Sequence, residues 1–192
     1  MNYSSRQIKQ ILLITCLLFC MGAAIAQTKP AKESHEYKSF SKIASRSNVT
    51  FTLPEGFKEL PVSGDNIFNY GMTIPGEDFE IWLKVTPQTD NTSDSLYVEM
   101  GKAEAKLLAG DNHYYTHGMP ERVLTDYNAD AGRSYFIYLS DSPATKHYKF
   151  ALLITLQKNS KGTIMALCMT NDKGPDFFKN INKARNCIRF KP

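Results

Sequence analysis

The chain has 192 residues, 42% of them hydrophobic, with 23 basic against 19 acidic side chains. That size suits one domain with a hydrophobic core of its own. The scattered, nearly balanced charge lacks an arginine-rich stripe and argues against a dedicated nucleic-acid binder, and four cysteines are too few for a disulfide scaffold.

Arg6 and Lys9 precede the apolar run ILLITCLLFCMGAAIA, which closes on Ala24-Ile25-Ala26. This is the layout of a secretory signal peptide, too short and too weakly flanked for a stable membrane span. Cleavage is expected after Ala26. A lipid anchor is the rival reading, but Cys20 follows Leu18-Phe19 and Cys16 follows Thr15, neither a small-residue acceptor context. Losing Arg6 and Lys9 leaves 21 basic side chains against 19 acidic, a net charge of +2. Residues 27–48, rich in Lys, Ser and Glu, read as a flexible leader. The domain proper is expected over 49–192, and nothing after residue 26 reads as a transmembrane helix.

Alternation predicts strands over 49–53 and 67–74, and most clearly from residue 79. There Phe79, Ile81, Leu83 and Val85 share one face, with Trp82 on the other. A helix is expected over 95–108, with Leu96, Met100, Ala103 and Leu107 as its apolar stripe and Gly110 as its stop. Residues 111–133 are the least regular. Strands follow over 135–139, 148–156 and 163–170, the last two joined at Asn159 to Gly162. The 163–170 strand is apolar on both faces, which places it near the sheet centre under two covering layers. Gly174-Pro175-Asp176 opens a final helix carrying Phe177, Ile181 and Ala184, followed by a short edge strand over 187–190. The order predicts an α+β fold, a mostly antiparallel sheet with helices on both faces.

Three stretches resemble the Mog1/PsbP-like α/β/α sandwich. Phe51-Thr52-Leu53-Pro54-Glu55-Gly56-Phe57 looks like its opening strand and turn, the 148–170 hairpin like its central meander, and 176–190 like its closing helix and terminal strand. The resemblance implies that fold over most of the processed chain. It brings no functional residue, since none matches one to one. In general look the chain also resembles small exported proteins of Bacteroides-type bacteria that have no assigned activity.

No catalytic motif is present, neither a Gly-x-Ser-x-Gly elbow nor a His-Glu-x-x-His helix. Asp111, His113 and His117 form the one metal-like cluster, but their spacing is no recognised zinc pattern and reads as surface polarity. No metal or cofactor is implied. The same histidines with Asp126 and Asp130 would supply an extracytoplasmic hydrolase if they met in a cleft. Trp82, Tyr114, Tyr115 and Tyr127 are the candidate binding residues, with Tyr135 and Tyr138 able to enlarge that surface. Trp82 is core if a helix covers its face and a platform if none does. Cys168 and Cys187 are either a disulfide or two buried thiols. The function expected is non-catalytic binding of a protein or envelope component, in the periplasm or outside the cell, with possible association to the outer membrane. The alternatives are the hydrolase and a structural subunit of an envelope assembly.

Overall fold

The computed structural model describes residues 33–62, 67–89 and 94–192. The expected signal peptide therefore lies outside the described residues. The chain runs helix α1 (His35–Arg46), strands β1 (Val49–Phe51), β2 (Lys58–Leu60), β3 (Tyr70–Thr73) and β4 (Phe79–Pro87), then helix α2 (Leu96–Ala109). It continues through β5 (Tyr114–Gly118), α3 (Glu121–Tyr127), β6 (Ala131–Tyr138), β7 (Phe150–Lys158), β8 (Gly162–Thr170), α4 (Pro175–Ala184) and β9 (Ile188–Phe190). Seven strands form one sheet in the order β2-β3-β4-β8-β7-β6-β5, antiparallel at every pairing. The expected α+β sandwich is the fold observed.

Strand β8 explains the layering. It pairs along its whole length with β4 and β7, and eight of its nine residues are buried. A strand buried on both faces needs cover on both. On one face Phe79, Ile81, Leu83, Ile164 and Cys168 meet Phe40 and Ala44 of α1, Phe177 and Ala184 of α4, and the β1–β9 ribbon. On the other, Trp82, Tyr135, Ile137, Leu153, Met165 and Leu167 meet Ala105, Leu108 and Ala109 of α2. Residues Ser34–Pro192 thus form one unit around a shared sheet. Among the described residues no helix is long and apolar enough to cross a membrane.

Several expectations need correction. Residues 35–46 are not flexible leader. Ser34 caps α1 by accepting a hydrogen bond from the Tyr37 N–H, and Phe40 is fully buried against Phe51 and Tyr70. An apolar stripe at Tyr37, Phe40 and Ala44 outweighs the polar composition around it. The stripe predicted for α2 is rotated: Leu107 is 72% exposed, and the buried positions are Gly101, Glu104, Ala105, Leu108 and Ala109. Small residues face the sheet because the helix lies close to it. The 111–133 segment is ordered as β5, α3 and the start of β6. Strand β9 is no edge of the main sheet. It pairs with β1 in a separate ribbon, closed by Lys191 N–H donating to the Asn48 carbonyl at 2.7 Å.

Candidate functional site

Among the described residues, the helices on the face of the sheet that carries α1 and α4 cover only part of it. Helix α3 is seven residues long and sits over the Gly132 end of β6, while α4 packs toward β4 and β8. The opposite end of β5, β6 and β7 is left to aromatic side chains. Register puts Tyr115 opposite Phe136 and Tyr138 opposite Phe150, and period-two alternation puts all four on that one face. His113 joins them, its carbonyl accepting from the Tyr138 N–H at 3.2 Å.

The rings form a continuous cluster. His113 leans on Tyr138 with centroids 4.4 Å apart and meets Tyr115 edge-on at 5.3 Å. Tyr138 touches Phe136 at 5.8 Å and Phe150 at 5.4 Å. Lys173, from the turn between β8 and α4, donates to the Tyr138 hydroxyl at 2.7 Å and lies 4.7 Å from that ring and 5.0 Å from Phe150. Such cation–π contacts contribute roughly 0.5–1 kcal/mol at an exposed site. Tyr115 is 54% exposed, His113 is exposed, and Phe136, Tyr138 and Phe150 are half-buried. The surface thus offers large rigid rings and one cation. Among the described residues no paired acid and base lies on it.

Of the binding residues expected from sequence, Tyr115 is on this surface, and so is Tyr138. Tyr114 is the preceding residue of the same strand and points the other way, against Tyr135 at 6.2 Å in the α2-side core. Tyr127 packs among the α4-side residues, where burial pushes its hydroxyl up to about 12. Trp82 is core, 4% exposed, with Phe68 against it at 5.9 Å. Its indole N–H donates to Glu80 at 2.9 Å, and Lys146 holds both Glu80 oxygens at 3.0 Å. Phe136, Phe150 and Lys173 were missed, and His113 was singled out for acid–base chemistry, not for binding. Period-two alternation of 136, 138, 150 and 152 carried the signal for the rings, but only the pairing of β6 with β7 brings them together.

The hydrolase constellation does not assemble. His113 and His117 are exposed on or beside edge strand β5, as is Asp111. Asp126 pairs instead with Arg185. Asp130 pairs with Lys158 at 2.8 Å and accepts from the Asn159 N–H at 2.9 Å. Partial burial alone would raise the Asp130 pKa, but those two hydrogen bonds and the Lys158 charge outweigh it and hold the carboxyl below its ordinary value. The histidine–carboxylate pair present among the described residues is His147–Asp141, both widely exposed. Among the described residues no group of three or more His, Cys, Asp or Glu is placed to hold a metal ion. Cys168 and Cys187 are two separate buried thiols. Burial raises both, Cys187 to about 12.

No protein-family model matches the chain, and no curated protein matches it. Among solved structures, the chain is similar to cyanobacterial PsbP (CyanoP) from Synechocystis sp. PCC 6803. The two are 10% identical over 77% of this chain and 89% of that one, with a TM-score of 0.47. The likeness brings no residue role to this chain.

Proposed function

We propose that this is an exported, non-catalytic protein that binds a protein or a component of the cell envelope through the His113–Tyr115–Phe136–Tyr138–Phe150 surface. Export rests on the residue 6–26 pattern. The carrying observation for binding is the ring cluster itself, left uncovered between α3 and α4 and fixed on rigid strands. Aromatic anchors supply area at low entropic cost and concentrate binding energy. The lone cation at Lys173 adds direction without a strong field, in keeping with the near-neutral processed chain.

The test uses the processed chain and a Tyr115→Ala/Tyr138→Ala variant as paired baits on solubilised envelope from the source cells. Loss of aromatic anchors should cut capture of a saturable partner by about tenfold or more. Equal capture by both baits, with unchanged circular dichroism, would overturn the reading.

A further inference from the structure

A second concave site lies on the opposite face, between α2 and the turn after β6. It encloses about 270 Å³. Trp82, Phe68 and Leu108 form its apolar wall, and Leu107 and Ile67 stand at its mouth, 72% and 42% exposed. Apolar side chains of that size held in water at the rim of a cavity suit an apolar guest.

The polar groups of the pocket divide sharply. The Ser140 hydroxyl donates to the Leu108 carbonyl at 3.1 Å. Thr145 donates to the Ser140 and Ser142 carbonyls, and Ser142 accepts from the Ala144 N–H at 3.1 Å. Glu80, behind the indole, is neutralised by Lys146. Glu104 is different. It lines the pocket from α2, is 8% exposed, and has neither a hydrogen bond nor an ion pair among the described residues. Lys84 acts on it only at longer range. A buried carboxyl without a partner is costly. A positively charged donor entering the pocket would offset that cost, because a charge-assisted hydrogen bond is stronger than one between neutral groups.

We propose that this pocket binds a small organic amine, with its ammonium on Glu104 and its apolar body against Trp82 and Leu108. Charge complementarity selects that occupant: the cavity offers one unspent negative group beside an apolar wall, and its hydroxyls are engaged in hydrogen bonds within the chain. The site is distinct from the aromatic surface of β5–β7, so either can fail without the other.

Trp82 is the only tryptophan in the chain and reports directly on the pocket. The full chain would be titrated with n-hexylamine, 1-hexanol and hexanoate while its fluorescence is followed. The expected result is a saturable change with hexylamine, about tenfold tighter than with hexanol, and weaker binding still of hexanoate. Glu104→Gln should bring hexylamine to the hexanol level. Leu107→Lys, at an exposed rim position that leaves the core intact, should weaken hexylamine while the fold is retained. Equal response to all three probes, no saturable response from the folded chain, or undiminished hexylamine binding by Glu104→Gln would overturn the proposal.

Discussion

Gly101 sits in α2 directly above Tyr135. A Cβ there would lie 2.5 Å from Tyr135 Cε2, 2.8 Å from its hydroxyl and 2.9 Å from Thr155 Cγ2. Helix propensity favours alanine over glycine by about 1 kcal/mol, but overpacking a fixed core costs about 1–3 kcal/mol. The ring is 2% exposed and its hydroxyl donates to the Val98 carbonyl at 3.2 Å, so it has little room to retreat. Gly101→Ala should therefore lower stability by about 1–2 kcal/mol in urea unfolding, against the propensity trend. Three residues on, Glu104 makes the complementary case. Burial raises its pKa above the ordinary 4.5, and Lys84 only partly opposes this. As pH climbs from 4.5 toward the native value, the unfolded chain releases a proton that the native state keeps, so stability falls through that window. Glu104→Gln has no such loss. It should be more stable than the wild type at pH 8, with the gain gone by about pH 4, where both forms are neutral. Urea titrations at the two pH values check this, and a gain that persists in acid would rule out the ionisation argument.

At the scale of elements, legibility followed period and failed with composition. The period-two pattern of β4 and the double-sided apolar run of β8 are strong local signals, and both strands are where they were expected. Helix α1 was equally readable through Ser34, Tyr37, Phe40 and Ala44, yet its Lys, Ser and Glu content pulled the reading toward disorder. The α2 stripe failed for another reason. Leu107 counts as core on any hydropathy scale, whereas the buried face carries Gly101, Ala105 and Ala109, small residues that only the tight helix–sheet spacing selects. The aromatic surface of β5–β7 was the least legible, since His113, Tyr138 and Phe150 meet only through the pairing of β6 with its neighbours. The structural weight of α1 can be measured. Phe40→Ala removes a fully buried ring packed on Phe51 at 4.9 Å and Tyr70 at 5.0 Å. The expected loss is about 3–5 kcal/mol in chemical denaturation. A loss under about 1 kcal/mol would mean that α1 is an appendage and not a part of the core.

Across the whole molecule, the two thiols divide a strong seam from a weak one. Cys168 lies mid-strand in β8, registered with Ile81 on β4 and Leu152 on β7, at the centre of a seven-stranded sheet. Cys187 precedes β9, whose ribbon with β1 is three residues long and is held to the body by α1, α3 and the Asn128 amide, which donates to the Lys191 carbonyl at 2.6 Å. Both thiols line the same small apolar cavity beneath α4. Both are shielded, 3% and 8% exposed, and desolvation suppresses the reactive thiolate of each. Exposing Cys187 requires only that the ribbon and the adjoining end of α4 lift. Exposing Cys168 requires α4 to leave the sheet face above it as well, and the smaller opening costs less free energy. An aromatic disulfide reagent applied to the native, reduced chain should therefore label Cys187 faster than Cys168, which waits for α4 to detach. Peptide mapping by mass spectrometry distinguishes the two. In a Cys187→Ser variant the remaining thiol should react more slowly than Cys187 does in the wild type, and its rate should rise more steeply with urea because the larger opening exposes more surface. If both cysteines label together, the ribbon and α4 leave the sheet face in one step.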